Sequence, residues 1–227
     1  MAPPSNAATS QGPLTPERVL AGALELADEI GIDAFTIRKL ADHLGVKPMT
    51  IYHHVPNKEA ILDGIVDLVF AEIDLPPEDL DWKAAIRHRT ASARRVLARH
   101  PWAPPLMESR TSPGMATLQH HDAVLGCLRR GGLSLQTTAH AYAIVDAFLY
   151  GFALQEASLP FDDERERGDV DDVAGDIFDE MPEGLFTNLA EFTTDHVLQP
   201  GYAFGDSFEF GLDLILDGLA AATERDA

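Results

Sequence analysis

"TIRKLADHLGVKPMTIYHHVPNKEAILDGI" runs from Thr36 to Ile65 and sets two histidines, His53 and His54, side by side after a glycine–valine turn and a proline. If these imidazoles bind metal, the chain is a candidate metalloenzyme. If the stretch is built to lie against a partner, it is a binding protein. Thr36 can cap a helix in which Ile37, Leu40, Ala41 and Leu44 share one face and Gly45 supplies the stop. Pro48 opens a very short helix, which Val55–Pro56 ends. At about 100° per residue, Ile51 and Val55 fall on one side, which must be the buried one. Met49 and His53 then point away, flanked by Thr50 and Tyr52. Adjacent residues on a helix do not face each other, and a helical metal pair needs a spacing of three or four. No metal site is expected, and His54 should lean on the core.

What remains is a helix too short to stand alone. Its outer face shows a hydroxyl, a phenol, an imidazole and a thioether. Around it, Arg38, Lys39, Lys47 and Lys58 stand against Asp42 alone. A helix ending in Gly45, a tight turn and a third helix of this kind form a helix-turn-helix.

The flanks extend the same logic. Thr15 caps a first helix with Pro16 at its start, and Val19, Leu20, Ala23, Leu24, Ala27 and Ile30 recur at three- and four-residue steps. Asn57 caps a fourth helix that carries Ile61, Leu62, Ile65, Val66, Leu68, Val69 and Ile73 and stops before Pro76–Pro77. Further helical patterns cover Trp82–His100, Pro113–Arg130, Leu135–Ser158, Pro182–Val197 and Asp206–Ala222, and no alternating strand pattern is evident. The fold class is all-α. Residues 1–14 are expected to be a disordered tail, 15–75 a helix-turn-helix domain, and 76–227 a larger helical domain with an acidic, solvated loop at 160–181.

At 45% hydrophobic and 24% charged, the 227 residues read as an ordinary globular protein with a sizeable core. A net charge of −20 argues at first against nucleic acid, but the excess acid lies elsewhere, most densely in "DDERERGDVDDVAGDIFDE" from Asp162 to Glu180. The single cysteine, Cys127, rules out an internal disulfide and a four-thiolate zinc site, and fits a reducing cytoplasm. "MAPPSNAATSQGP" has neither a basic start nor an apolar segment, so no signal peptide is expected. The most apolar stretch, "AHAYAIVDAFLYGFALQEA", is short for a membrane span and interrupted by Asp146, so it is expected to be a buried helix.

"LA..LGV", "T-x-Y-x-H-V-x-N-K" and the leucine that follows resemble the DNA-binding segment of the tetracycline-repressor (TetR) family, over Thr15 to about Ile73. Weaker similarity to the regulatory domain of the family's namesake runs through Asp81–Trp82, "LARH" (Leu97–His100), "GFAL" (Gly151–Leu154) and "FGLDLILDGL" (Phe210–Leu219). The resemblance implies a homodimeric transcription regulator, usually a repressor, released from a palindromic operator in double-stranded DNA by a small organic effector. It implies that Thr36, Thr50, Tyr52 and Lys58 hold phosphates. Arg38, Lys47, Met49 and His53 would sit near base edges, and Lys39 is a further DNA-facing cation. The chain departs from the family pattern at Ile37, where a second threonine often stands, and at His53, where a tryptophan can sit. Lys47 and Pro48 also replace an acid and an amide of the namesake, so the operator should differ.

In the regulatory half, Ala139, Ala143, Ala147 and Gly151 form a strip of small residues, and Phe208, Leu212, Ile215 and Leu219 form an apolar stripe. With the family's four-helix dimer bundle in view, both are expected at the interface of a homodimer. Candidate effector-lining residues are His100, Met107, Arg110, Phe148, Phe152 and Gln155. The namesake holds its metal-chelated drug with a histidine, a threonine and a glutamate, and Met107, Arg110 and Gln155 stand near those positions. None suits a hard divalent cation, so no metal and no cofactor are expected.

Two rival readings are an all-helical enzyme and a protein-interaction module without DNA binding. G-x-S-x-G, H-E-x-x-H, a Gly-rich phosphate loop and a cysteine cluster are all absent from the sequence, which argues against an enzyme. His120–His121 is again an adjacent pair. Salt dependence separates DNA binding from a hydrophobic protein contact.

Overall fold

The structure, a computed structural model, describes residues 13–159 and 185–226. The expected tail (up to residue 12) and the acidic loop at 160–181 lie outside the described residues. Every regular element among the described residues is helical, and none is long and apolar enough to cross a membrane. The chain divides into two compact units. The first comprises Met1–Ile73 together with Trp102–His121, and the second Asp74–Pro101 with Asp122–Ala227. Trp102–His121 thus groups by contact with the first unit, although it follows the break expected near residue 75.

In the first unit, α1 (Pro16–Ile30) begins where the Thr15 hydroxyl accepts from the Arg18 N–H, with Pro16 at the position that needs no donor. The helix α2 (Ile37–Leu44) is capped by Thr36, and α3 (Pro48–Tyr52) follows after a turn at Gly45. Gly45 sits at φ 68°, a left-handed conformation that glycine takes without a Cβ penalty. There the N–H groups of Gly45 and Val46 return to the carbonyls of Asp42 and Ala41. The helix α4 (Lys58–Glu72) opens with the Asn57 side chain accepting from the Ala60 N–H at 2.8 Å. Val19, Phe35, Leu40, Ile51, Ile61 and Ile65 are all buried and form the core of this headpiece. The backbones of α1 and α4 approach closely, for a Cβ on Gly64 would stand 2.5 Å from the Leu20 side chain.

Ile51 decides the pose of α3. Five residues of helix have no stability of their own, so burial of Ile51 and Val55 against α2 seats them. Ile51→Ala would cost about 2–5 kcal/mol and loosen the seat.

The first unit also takes in α6 (Ala103–Ser109) and the start of α7 (Met115–Arg130), with α6 packed on α4. The sequence pattern does not announce α6. It is two turns long, and Pro104 and Pro105 look like breakers, yet they stand in the first turn, where backbone donors are free anyway.

The second unit is built on α5 (Trp82–Arg99) and α8 (Leu135–Ser158), with α10 (Ser207–Asp226) packed on α8. Asp81 caps α5 through the N–H groups of Lys83 and Ala84, and Ser134 caps α8 through Thr137. The helix expected at Pro182–Val197 is described from residue 185 onward: α9 (Thr187–Phe192) runs into a wider π turn at Thr193–Val197. Phe148, Phe152, Phe204 and Phe208 cluster with ring centroids 4.7–5.8 Å apart.

One expectation is corrected here. Phe208, Leu212 and Leu219 are buried within their own chain and Ile215 is half-buried, so three of the four residues of this stripe are internal core. The exposed apolar positions of α10 are Phe210 and Leu214, at 68% and 60% exposure. The helix has apolar residues on two faces, and packing on α8 consumes the first.

Candidate nucleic-acid interface and regulatory cavity

On α3, Met49 is 68% and Tyr52 39% exposed, His53 is exposed, and Thr50 and His54 are half-buried. Arg38 on α2 and Lys47 at the start of α3 are exposed beside them. These groups therefore share the outward side of the α2–α3 pair, while Ile51 and Val55 face the core.

Three expected phosphate-facing or DNA-facing groups have local duties as well. The Thr36 oxygen accepts from the Lys39 N–H at 3.2 Å as the α2 cap, which leaves its O–H free to donate. The Lys39 ammonium donates to the Ala34 carbonyl at 3.0 Å. The Lys58 ammonium donates to the Phe35 carbonyl at 3.1 Å and lies 5.7 Å from the centre of the Phe35 ring. Both lysines thus fasten the α1–α2 loop, with two ammonium protons each to spare. No local pattern in the sequence signals these two bonds.

Met107 and Arg110 line a cavity of about 150 Å³ inside the first unit, together with Asp63, Val66 and Phe70 of α4 and Thr117 and His121 of α7. Arg110 donates to Glu59 at 2.6 Å and lies 3.5 Å from Asp63. Its Nε is buried without a hydrogen-bond partner. The Phe70 and His121 rings pack at 5.5 Å. A cavity of this size holds roughly one aromatic ring.

The other candidate lining residues lie in the second unit. His100 is buried at the end of α5, and Gln155 is exposed on α8. Phe148 and Phe152 belong to the phenylalanine cluster. Arg94 sits 5.1 Å from the centre of the Phe152 ring and 4.7 Å from that of Phe208, and pairs with Glu156 through its Nε at 3.0 Å. Arg94, Glu156 and Phe208 border an open groove of about 530 Å³ whose floor is largely alanine. Asp146, which breaks the apolar run of α8, is buried against Arg89 at 2.8 Å. Burial acts to lower the Arg89 pKa, but Asp146 and Tyr150 outweigh it and the net direction is upward. Among the described residues, no three histidine, cysteine or acidic side chains converge as a metal site.

With this geometry in hand, the comparisons with known proteins are specific. Residues 19–65 match the model for bacterial regulatory proteins of the tetR family, and residues 75–223 match the tetracyclin repressor-like C-terminal domain. The chain is 30% identical to the class A tetracycline repressor from transposon 1721 in Escherichia coli, over 91% of both chains. It is 31% identical to the transcriptional repressor DrrR1 of Streptomyces coeruleorubidus, over 92% of this chain and 80% of that one. Among solved structures it resembles apo ActR of Streptomyces coelicolor, with a TM-score of 0.78 and 26% identity over 96% of this chain and all of that one. ActR has also been solved in complex with actinorhodin, and there the TM-score is 0.75 at 27% identity, over 93% of this chain and 99% of that one. These regulators are not an enzyme family, and the chain belongs to the TetR family of DNA-binding, ligand-responsive transcriptional regulators.

Proposed function

We propose that the chain acts as a homodimeric repressor that reads a two-fold-related operator with α2 and α3 and is released from it by a small organic molecule. The observation that carries this reading is the outward face of α3: Met49, Tyr52 and His53 stand exposed on a helix too short to exist without the core beneath it. Exposed there, Met49 and Tyr52 add little to the core, and a DNA surface gives them a use. Met49 suits a thymine methyl and Arg38 a guanine edge. Thr36, Thr50, Tyr52, Lys39 and Lys58 supply donors for phosphates, which position the helix without specifying sequence. In a dimer, two such helices reach successive major grooves about 34–36 Å apart. The acidic remainder of the chain repels DNA elsewhere and discourages wrong docking.

The release step takes its support from the chemistry of Met107 and Arg110. A ring-sized cavity lined by a thioether, two aromatic rings and one inward guanidinium nitrogen favours a largely apolar ligand with a hydrogen-bond acceptor. A carboxylate is disfavoured beside Asp63. The thioether of Met107 and the guanidinium of Arg110 are poor ligands for magnesium, so the effector needs no metal. The tetracycline repressors and ActR, named or solved with drug-sized organic molecules, support an effector of that general class. Helix α4 is the lever, since it starts at Asn57 and Lys58 beside the DNA-facing groups and lines the cavity at its other end.

Selection of bound sequences from random duplex DNA tests the operator claim. Recovery of a site with two-fold symmetry is expected; enrichment of nothing refutes DNA reading. Organic compounds that raise the melting temperature should do so equally with chelator present, and should bind more weakly once operator is added.

A further inference from the structure

Two polar groups in the wall of the first unit's cavity make no hydrogen bond among the described residues, and they are complementary. One is a donor, the Nε–H of Arg110, which is buried. The Nη1 of the same guanidinium is already committed to Glu59 at 2.6 Å. The other is an acceptor, the carboxylate of Asp63, 24% exposed and 3.5 Å from that Nη1. This separation is an ion pair too long for a good hydrogen bond. Both groups line the same space of about 150 Å³, and Val66, Phe70, Met107 and Pro113 give it apolar walls. The donors of Thr117 in that wall are spent, since its N–H and O–H both go to Asp67 at 2.8 Å. The protein thus leaves one donor and one acceptor at the edge of a space that holds about one ring. A ligand that meets both groups gains from each, whereas one that meets neither leaves them desolvated at a cost.

Charge decides the form of that ligand. Arg110 is a single cation beside two acids, Glu59 and Asp63. A ligand anion meets Asp63 as a like charge. A ligand cation suits Asp63 but leaves the Nε–H of Arg110 without an acceptor. A neutral group with an acceptor and a donor on one edge satisfies both. An ortho-hydroxy ketone carries both groups, but its O–H turns onto its own carbonyl and is lost to Asp63. A lactam or a primary carboxamide holds its C=O and N–H side by side on one edge, so two parallel bonds form, as in an arginine–carboxylate fork.

We infer that the effector enters this cavity with a ring that carries a neutral amide edge, its C=O accepting from Arg110 Nε and its N–H donating to Asp63. This rests on the cavity being the effector site, as read above. Asp63 is then the specificity-determining residue: it accepts the amide N–H and turns carboxylates away.

The test uses the full chain and single-ring probes of matched size, with dissociation constants from saturation-transfer NMR titrations. The amides are 2-pyridone and benzamide. Benzoate is the anion, benzylamine the cation and 2-hydroxyacetophenone the internally bonded rival. In the wild type, both amides should bind about 10-fold or more tighter than the other three, the margin of one hydrogen bond to a charged group. Asp63→Asn keeps an acceptor and removes the charge, so it should hold the amides and tighten benzoate about 10-fold. Arg110→Met should lose the amides. Asp63 has no hydrogen bond to forfeit, so Asp63→Asn carries the test even if Arg110→Met does not fold. Equal binding of benzoate and benzamide to the wild type overturns the inference, as does an unchanged preference in Asp63→Asn. Tightest binding by benzylamine or the hydroxy ketone, or no binding by either amide, overturns it as well. None of these results touches the DNA-binding reading, which selection from random duplex DNA decides without the cavity. Amides that bind with the expected profile, yet are not displaced by compounds that release the operator, would instead sink the placement of the effector here.

Discussion

Arg89 of α5 and Asp146 of α8 meet at 2.8 Å with side-chain exposures of 1% and 11%. The pair ties the two helices of the second unit across 57 residues of sequence. Taking both charges out of water costs nearly as much as their attraction returns, so the pair adds little net stability, but either charge left alone is expensive. Arg89→Met should therefore destabilise by about 3–5 kcal/mol, and Arg89→Met with Asp146→Leu should recover most of that loss. Urea unfolding of the two variants checks this. Equal losses in both would show that the helices depend on the charges themselves.

Tyr52 is 39% exposed on α3, so its ring supports little of the core. Tyr52→Ala should leave the circular dichroism spectrum and melting temperature nearly unchanged and weaken operator binding by about 1–3 kcal/mol. A gel-shift titration with unchanged affinity would count against α3 as the reading helix.

Lys58 has two roles that one measurement each can separate. Its bond to the Phe35 carbonyl fastens the loop before α2, and its remaining protons are free for phosphate. Lys58→Met should lower stability by about 1 kcal/mol, since a part-buried carbonyl loses its partner. It should also weaken binding to all duplexes and flatten the salt slope by about one unit. Loss of stability with an unchanged slope would confine Lys58 to the loop.

What could be read directly from the chain was whatever local spacing encodes. The caps Thr15, Thr36 and Asn57, the turn at Gly45 and the buried side of α3 all follow from residues within a few positions of one another. Long-range partners do not: Arg110 with Glu59 is 51 residues apart, and nothing in the α4 pattern says that its acidic face meets a segment rather than water. Likewise α10 has apolar residues on two faces, and spacing alone cannot tell which one α8 covers. The effector candidates follow from analogy along the chain, and local spacing does not encode that Met107 and Arg110 belong to the first unit and Phe148 and Phe152 to the second.

The exposed apolar residues left over from that choice lead to the last prediction. Phe210 and Leu214 on α10, and Ile144 and Leu154 on α8, remain exposed among the small residues Ala139, Ala143 and Ala147. A second copy of the chain would cover such a face, and the small residues would let its helices come close. Gly151 belongs to this strip, and a Cβ placed there meets nothing within its own chain. A leucine at Gly151 should therefore leave the protomer's fold and core intact while overpacking the contact between copies, at a cost of about 1–3 kcal/mol or more. Leu214→Glu should act in the same direction by placing an unpaired charge in the interface. Sedimentation should find the wild type dimeric at micromolar concentration and both variants shifted toward monomer with native circular dichroism. Because both half-sites must be held at once, the same variants should lose operator affinity in step with their loss of self-association at the assay concentration. A monomeric wild type would refute the interface, and a dimeric Gly151→Leu would move it off α8.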